Sequence, residues 1–333
     1  MSSQQTILTV TPNAAIDQTL EVEGFAAGAV NRVLSSRIDA GGKGINVASI
    51  LGDLQLSVTV TGFLGARNAA IFEEHFAAKG LVDRFVRVPG STRTGIKIVD
   101  AKTRETTDLN FPGVAVQPEA VAQLRQTVEE LTIAGGWQVL SGSLPQGLGA
   151  EFYHGLIQAI HTRCGHVLLD TSGEPLRRAI QTAPDEARPE IIKPNLAELE
   201  ELIGRPVRNI AQALTAADTL LIGATRLVVV SMGAEGALFV DRQSALVARP
   251  PRVPVVSTVG AGDAMVAGIV WSLLQGLDLT HLARWSTAFG AYAVTRCGAG
   301  IEMDAVQALM EQVTVSALEP NVVAGRAVAV QGV

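Results

Sequence analysis

The sequence predicts an α/β fold, in which a three-layer core with a mainly parallel sheet carries a small β-sheet lid. First, short β-branched runs alternate with helical patterns along most of the 333 residues. Second, most of these runs end in Gly, Ser, Asp or Asn, which favour the turn out of a strand. Third, the segments 17–39 and 91–113 contain short alternating strands instead of strand–helix units. Ligands of such parallel sheets bind at the carboxyl ends of the strands.

In chain order, the buried runs predict strands and the segments between them predict helices. Strands are expected at 7–10, 58–64, 137–142, 166–170, 190–195 and 226–233. Helices are expected near 43–54, 68–79, 118–134, 150–163, 195–203, 210–223, 262–275, 279–296 and 304–314. We expect one domain over residues 1–316, with lid strands from 17–39 and 91–113 inserted in it, and a tail, 317–333, without an interpretable pattern.

The composition is that of an ordinary globular protein and excludes several functional classes. The chain is 47% hydrophobic and 17% charged, and its formal net charge is −6. This mild acidity disfavours nucleic acid or an anionic membrane as the main partner. Its two cysteines, Cys164 and Cys297, suggest neither a zinc site nor a disulfide framework. We find no signal-peptide pattern and no membrane-spanning apolar run, and therefore expect a cytoplasmic protein.

Two glycine-rich segments begin predicted helices, where free N–H groups and the helix dipole favour anions. Residues 41–46, GGKGIN, offer Lys43 as a point charge and Asn46 as a hydrogen-bonding side chain. They do not fit the Walker sequence GxxxxGKS/T, and a simple turn before a helix also explains them. Residues 257–268, STVGAGDAMVAG, add a carboxylate, Asp263, which would repel a phosphate. Asp263 is therefore either a helix cap or a group with its own chemical task.

The segment KPNLAELE, residues 193–200, has a structural and a functional explanation. Asn195 suits a helix N-cap, and Glu198 three residues later could close a capping box. In the functional alternative, Glu198 holds Mg²⁺ through water, because Mg²⁺ keeps several of its waters. The sequence leaves both open.

Other strand ends and the lid carry small or charged residues with the same ambiguity. Turns, hairpins, caps and solvated surface account for all of them. A nucleotide or sugar-phosphate site would use the same groups, because hydroxyl, backbone N–H, carboxylate and guanidinium groups bind phosphates and sugar hydroxyls. The residues are Ser141, Ser231, Gly233 and Gly236 at strand ends or turns, Asp17 and Asp170 at strand ends, and Arg32, Arg93, Lys97 and Arg104 on the lid.

Together these segments resemble the ribokinase-like carbohydrate kinases, which include the bacterial minor phosphofructokinases. The resemblance covers about residues 7 to 312 and rests on TPNAAID, GGKGIN, SGSLPQG, KPNLAELE, SMGAEG and VGAGDAMVAG. It implies ATP and Mg²⁺ as cofactors and phosphoryl transfer to a phosphorylated ketohexose. Fructose 1-phosphate, giving fructose 1,6-bisphosphate, is the first choice of acceptor. Tagatose 6-phosphate or fructose 6-phosphate is the alternative, although the lid has only Arg32 where the minor 6-phosphofructokinases carry a basic pair.

The resemblance also implies roles for the matching residues. Asp263 takes the catalytic-base position, facing the acceptor hydroxyl, and the helix dipole favours its ionised form. The anion-hole positions are Gly260, Ala261 and Gly262; the phosphosugar positions are Asp17, Gly42, Lys43, Asn46, Arg93 and Ser141. Nucleotide and metal positions are Lys193, Asn195, Glu198, Ser231 and Gly233, with Gly236 in the same turn. A loop for a monovalent cation such as K⁺ corresponds to Ser257, Val259, Ala293 and Gly298.

Partners and other functional classes follow from the same features. Unpaired lid edges favour pairing with a second copy, so we expect a homodimer. A sugar-phosphate sensor without catalysis is the alternative of another class, and the presence of Asp263, Asn195 and Glu198 argues against it. A nicotinamide oxidoreductase is disfavoured because no GxGxxG follows the first strand.

Overall fold

The structure is a computed structural model that describes residues 7–103, 105–182 and 184–318, so the predicted tail lies outside the described residues from 319 onward. Its strands are β1 Ile7–Thr11, β2 Ala15–Val22, β3 Val33–Gly41, β4 Val58–Gly65, β5 Val82–Asp83, β6 Val86–Val88, β7 Arg93–Asp100, β8 Thr106–Asn110, β9 Trp137–Ser141, β10 His166–Asp170, β11 Ile191–Ile192, β12 Leu227–Ser231, β13 Ala237–Asp241, β14 Ala245–Arg249 and β15 Thr314–Ala317. Its α-helices are α1 Lys43–Asp53, α2 Ala70–Ala78, α3 Pro118–Leu131, α4 Phe152–Thr162, α5 Gly173–Arg177, α6 Leu196–Ile203, α7 Ile210–Asp218, α8 Ala261–Leu274, α9 Leu279–Ala293 and α10 Met303–Met310.

The larger sheet runs in the order β15-β14-β13-β12-β11-β10-β9-β1-β4-β5, and β6 also pairs with β4. Neighbouring strands in the part of this order that reads β12-β11-β10-β9-β1-β4-β5 are parallel. The strands from β12 to β15 are antiparallel and extend one edge. The turn residues Ser231, Gly233 and Gly236 lie in the hairpin β12–β13. The next two strands of this edge, β14 and β15, were not among the predicted strands.

Helices cover both faces of this sheet. Successive residues of β1 point to opposite faces, so that Ile7 and Leu8 belong to two different apolar clusters. The first cluster includes buried residues of α1, α2, α8, α9 and α10, and the second includes those of α3 to α7. Because both faces are buried, the central strands are nearly continuous apolar runs. The predicted three-layer α/β fold is confirmed.

A separate sheet has the order β3-β2-β7-β8 and takes its strands from the two segments that broke the alternation. Its central pair, β2 and β7, is parallel, and its outer pairs are antiparallel. Apolar side chains of this sheet are exposed, such as Leu34 at 60% and Ile38 at 54%, and so is Val30, at 87%, in the segment between β2 and β3. The small β-sheet lid of the predicted fold class is therefore present.

Several predicted bounds differ from the observed ones for local reasons. β11 is only Ile191–Ile192, because Pro194 lacks the N–H that would continue the strand pairing. α7 ends at Asp218, and Gly223 at φ 59° packs against the backbone of Asp185, where a side chain would collide. Within the ranges that the structure describes, no helix is long and apolar enough to span a lipid bilayer.

Candidate active site

The carboxyl ends of the parallel strands gather polar side chains at one edge of the larger sheet. Ser141 ends β9, Asp170 ends β10, and the two residues are register partners. Both are buried, and neither Ser141 Oγ nor Asp170 Oδ2 has a hydrogen-bond partner among the residues described. Buried polar atoms are normally satisfied, so these two indicate a place where a ligand completes the contacts. This is the edge where the fold class predicts a ligand site.

Glycine turns begin two of the helices that border this edge. Gly42 caps α1 with φ 126°, and a Cβ there would lie 2.8 Å from Thr11 Cγ2. Gly260 caps α8 with φ 83°. Such φ values favour glycine, and the first N–H groups of each helix have no partner within the helix. The run Gly260–Ala261–Gly262 therefore offers backbone donors to an anion.

Asp263 lies in the first turn of α8 and is only 7% exposed. Asn46 Nδ2, from α1, donates a hydrogen bond of 2.7 Å to its Oδ2. Burial raises the pKa of Asp263 to about 6, and the charge of Asp170 adds to this rise. The hydrogen bond from Asn46 and the charges of Lys43 and Lys193 act in the opposite direction. Burial therefore outweighs the expected effect of the helix dipole on the ionised form.

Two lysines and a second carboxylate complete the charges around Asp263. Asp170 Oδ1 lies 3.2 Å from Lys43 Nζ and 3.5 Å from Lys193 Nζ, and the Asp170 side chain is 1% exposed. Burial lowers the pKa of Lys43, but the charges of Asp170, Asp263 and Glu198 raise it more, so the net shift is upward. A Cβ on Gly262 would lie 3.4 Å from Lys193 Nζ. Lys43 thus remains charged in this cluster, and Lys193 Nζ lies beside Asp170 and the start of α8.

Asp170 is the residue whose place in this cluster the sequence did not identify. It stood there as a turn residue or a sugar ligand, and the structure instead pairs it with both lysines. The available signal was its position as the last residue of the strand HVLLD, because neighbouring parallel strands end at one edge. The partners Lys43 and Lys193 are far from it along the chain, so no spacing rule connects them.

Asn195 and Glu198 form the capping box of α6. Glu198 N donates to Asn195 Oδ1 over 2.9 Å, and Asn195 N donates to Glu198 Oε2 over 2.8 Å. The structural explanation of this motif is therefore realised. Glu198 also acts on the pKa of Lys43, which places its charge near the cluster. Among the described residues, no group of three or more His, Cys, Asp or Glu could hold a metal ion.

The hairpin glycines differ in what surrounds them. Ser231 forms a bridge with Asn195, so the hairpin starts beside the capping box. Gly233 has φ 59°, and a Cβ there would meet no atom within 4 Å. At Gly236, φ is 90° and a Cβ would collide with the Ala248 carbonyl oxygen of β14. The close approach of β14 is enough to explain Gly236, whereas the space at Gly233 is open.

The lid contributes a second group of charged residues. Asp17 on β2 pairs with Lys97 Nζ at 2.9 Å, and a Cβ on Gly41 or Gly95 would lie 2.6 or 3.1 Å from its carboxylate oxygens. Arg93 begins β7 and donates from Nη2 to the Asn13 carbonyl oxygen over 3.3 Å. Its Nε is buried without a hydrogen bond in the part of the chain described. Burial lowers the pKa of Arg93, although Asp17 acts against this.

The residues expected around a monovalent cation come from two adjacent segments. The N–H groups of Val256 and Ser257 donate to the Val294 carbonyl oxygen over 2.8 and 3.2 Å, which joins 257–259 to 293–298. Val259 N donates to Ser257 Oγ over 3.2 Å. A Cβ on Gly298 would lie 3.5 Å from the Arg37 guanidinium, which pairs with Asp39 at 2.6 Å. A positive charge thus borders this loop.

The fold, the glycine turns and the Asp263 cluster agree with a match of residues 8–305 to the pfkB family carbohydrate kinases. The chain belongs to this family. A kinase of this family implies ATP and a divalent metal ion. The 1-phosphofructokinase of Rhodobacter capsulatus is 48% identical to this pfkB kinase over 316 residues, which are 94% of the chain and 98% of that relative.

Solved structures of the phosphofructokinase-2 of Escherichia coli share the fold of this kinase. The complex with substrates and products has a TM-score of 0.86 at 28% identity, covering 92% of this chain and 98% of that one. The complex with potassium has a TM-score of 0.85 at 28% identity and the same coverage.

Proposed function

We propose that this kinase transfers the terminal phosphoryl group of ATP to fructose 1-phosphate and forms fructose 1,6-bisphosphate. The observation that carries the chemistry is a buried Asp263 at a helix start, bonded to Asn46 and close to two lysines. The choice of acceptor is supported by the 48% identity with a 1-phosphofructokinase. The half-buried Arg93 supports an acceptor that already carries a phosphate.

In the proposed reaction, Asp263 accepts the proton of the acceptor's 6-hydroxyl group. As the proton leaves, the hydroxyl oxygen forms a bond to the γ-phosphorus, and the bond from that phosphorus to the ADP oxygen breaks. The raised pKa, about 6, makes Asp263 a stronger base than an ordinary aspartate while leaving it ionised above neutral pH. The backbone N–H groups around Gly260, Ala261 and Gly262 stabilise charge on the transferred phosphoryl oxygens.

On the nucleotide side, Lys193 neutralises phosphate charge, and Asn195, Ser231 and Gly233 line the nucleotide. Lys43, which shares Asp170 with Lys193, does the same from the phosphosugar side. Gly236 lies in the same turn, where packing against the Ala248 backbone already requires a glycine. For the metal we propose Mg²⁺, held by Glu198 through water, since Mg²⁺ binds through one or two carboxylates plus phosphates and waters. One Glu198 oxygen is engaged in the capping box. When bound, Mg²⁺ neutralises charge on the β- and γ-phosphates.

On the acceptor side, we assign Arg93 to the sugar phosphate and Asp17 to sugar hydroxyls. A guanidinium can bind two phosphate oxygens at once, and Arg93 Nε has no hydrogen bond in the described chain. Ser141 supplies a buried hydroxyl, also without a partner there. Gly42 lets the backbone of α1 approach the ligand, because its φ of 126° excludes most side chains.

We also propose that K⁺ binds at the loop formed by Ser257, Val259, Ala293 and Gly298. The support is the adjacency of these segments and the potassium complex of the E. coli phosphofructokinase-2. The positive charge of the Arg37 guanidinium near Gly298 would repel K⁺. The proposal therefore requires that the ion pair of Arg37 with Asp39 offsets this charge. Replacing K⁺ by a large organic cation at constant ionic strength should lower kcat; an unchanged kcat contradicts the site.

For the state of the enzyme in the cell, we propose a cytoplasmic homodimer. The exposed apolar residues Val30, Leu34 and Ile38 of the lid support burial against a second copy. Leu34→Glu should shift the mass measured by light scattering from dimer to monomer. Monomeric mass of the unaltered chain would refute the dimer without affecting the kinase proposal, and fractionation of cells tests the location.

The decisive experiment for the reaction is a coupled ADP-release assay over a panel of phosphosugars. We expect the highest kcat/KM with fructose 1-phosphate and little ATP hydrolysis without an acceptor. A higher kcat/KM with fructose 6-phosphate or tagatose 6-phosphate would overturn the choice of acceptor. Binding of phosphosugars without ADP release from any of them would instead indicate a sensor.

A further inference from the structure

A cavity of about 420 Å³ lies on the side of the second helical layer, away from the Asp263 cluster. We call it the α6–α7 cavity, because it is bordered by the end of α6, the residues after α7 and the π-helical turn Arg178–Thr182. Arg188, which lines it, precedes β11, whereas Lys193 follows that strand. The cavity therefore lies towards the amino ends of the parallel strands, opposite the proposed active site.

The lining of the α6–α7 cavity combines an apolar surface with two guanidinium groups. Its apolar side chains are Ile180, Ile203, Leu220 and Ile222. Ile222 is 44% exposed, so apolar surface of the cavity lining is open to solvent. Arg188 and Arg205 provide the positive charges. The volume is within the range of roughly 300–1,000 Å³ that small-molecule sites occupy.

Arg188 is the unusual member of this lining. The residue is 8% exposed, yet neither its Nε nor its Nη1 makes a hydrogen bond within the described ranges. Nη1 is 3.1 Å from Asp185 Oδ1, an ion pair without hydrogen-bond geometry, and the Asp185 side chain is 67% exposed. A buried guanidinium with unused donors is costly, because its desolvation is not compensated. An anion in the cavity would use these donors.

Arg205 adds a second unused guanidinium. It is exposed, it follows the αL residue Gly204 that ends α6, and its side chain has no hydrogen bond or ion pair with any residue that the structure describes. Two guanidinium groups that line one cavity match an oxyanion, since each can donate two parallel hydrogen bonds to it. The apolar lining matches an uncharged body attached to that anion.

We propose that the α6–α7 cavity binds a small oxyanion with an apolar body. Arg188 and Arg205 hold the phosphate or carboxylate group, and Ile203, Leu220 and Ile222 contact the body. A phosphate ester and a carboxylate share this chemistry, and they are separated by the probes of the test.

The test uses calorimetric titration of the full chain with phenyl phosphate and, separately, with benzoate. We expect saturable binding of one of them, and the stronger ligand identifies the anion. Arg205→Ala should weaken that binding by about 10-fold or more, because a charge-assisted hydrogen bond is lost. Arg208→Ala removes the same charge three residues later, on an exposed side chain outside the cavity, and should bind as the unaltered chain does.

Location is checked independently of affinity, because phenyl phosphate also resembles a ligand of the active site. Isoleucine methyl signals in NMR should shift on titration for Ile180, Ile203 and Ile222. Arg188→Met should abolish these shifts, and if this buried substitution prevents folding, Arg205→Ala decides. The proposal is overturned if neither probe shifts these signals, or if both Arg205→Ala and Arg188→Met bind the probe like the unaltered chain.

Discussion

The proposed active site has two halves that are built differently. The core half consists of strand ends and helix starts, where Asp263, Asp170 and Lys193 are at most 7% exposed and have polar contacts of 2.7–3.5 Å. The lid half lies on a separate four-stranded sheet, where Asp17 and Lys97 pair at about one-fifth exposure and β3 is mostly exposed. Buried charges in fixed positions suit the chemical step. A half-exposed sheet suits acceptor binding and closure.

The largest expected effect comes from removing the base in the core half. Asp263→Asn should lower kcat by about 10²–10⁴-fold, because general-base catalysis typically contributes that much. The affinity for ATP and the fold should persist, since Asn46 can still hydrogen-bond the amide. The measurements are steady-state kinetics and nucleotide titration. Asp304→Asn, an exposed change on α10, is the matched control. Near-normal turnover of the first variant would remove Asp263 from the mechanism.

The same variant tests the buried charge through stability. The pKa of Asp263 rises from 3.8 to about 6 on folding, so the ionised form costs stability above about pH 6 and nothing below 3.8. About two pKa units correspond to about 3 kcal/mol. Asp263→Asn should therefore raise the free energy of unfolding by up to that amount at pH 8. The gain should disappear as the pH falls from 6 to 4; a gain independent of pH would contradict the raised pKa.

The next largest effect is expected in the lid half. Arg93→Ala should lower kcat/KM for fructose 1-phosphate by roughly 10- to 150-fold, as a lost charge-assisted contact of about 1.5–3 kcal/mol implies. The KM for ATP should change little. Arg93→Lys should restore only part of the loss, because it cannot reproduce the two parallel hydrogen bonds.

Arg32→Ala is the matched control for Arg93, since it removes an exposed guanidinium from the same lid. It should leave both KM values unchanged. Equal effects of Arg93→Ala on sugar phosphate and ATP would make Arg93 structural and remove the distinction between the two halves. A loss with Arg32→Ala alone would move the phosphate contact to Arg32.

A smaller effect should appear in the pH dependence of kcat. Asp170 raises the pKa of Asp263, and it also pairs with Lys43 and Lys193. Asp170→Asn removes a negative charge and frees two positive ones, and both changes lower the pKa of Asp263. The acid limb of the pH profile, near pH 6, should move to lower pH, so that the activity at pH 5.5 relative to pH 8 rises several-fold. Asp304→Asn should leave the limb in place, and an unmoved limb in Asp170→Asn would show that Asp170 does not act on the base.

The sequence predicted some members of the core half and missed the role of others. Glycine turns, strand ends and the run around Asp263 are local patterns, and the structure brings the core members together at one sheet edge. Asp170 was not placed there because Lys43 is 127 residues away along the chain and Lys193 follows a different strand, β11. Gly236 belongs to the segment SMGAEG, which the sequence assigned to the nucleotide. The close approach of Ala248 on β14 is enough to require a glycine there, and β14 was not predicted. Local patterns identify candidates, and only tertiary contacts separate packing from chemistry.

The smallest effect, and the sharpest separation of packing from chemistry, is expected at Glu198. Glu198 N and Asn195 N are both satisfied by the capping box, and the Glu198 charge also acts on Lys43. Gln is accepted at this position of a capping box, so Glu198→Gln should keep the melting temperature while removing the charge. Glu198→Ala should also lose the hydrogen bond from Asn195 N, which is half of the capping box, at about 0.5–1.5 kcal/mol.

If Glu198 holds Mg²⁺ through water, Glu198→Gln should raise the Mg²⁺ concentration needed for half-maximal activity several-fold, because a neutral amide orders those waters less strongly than a carboxylate. The KM for fructose 1-phosphate should stay the same, in contrast to Arg93→Ala. Activity titrated with Mg²⁺ at fixed ATP measures this, and thermal unfolding of the same two variants supplies the stability comparison. An unchanged Mg²⁺ requirement in Glu198→Gln, with a lower melting temperature only in Glu198→Ala, would reduce Glu198 to a helix cap and leave the metal to the ATP phosphates and other groups.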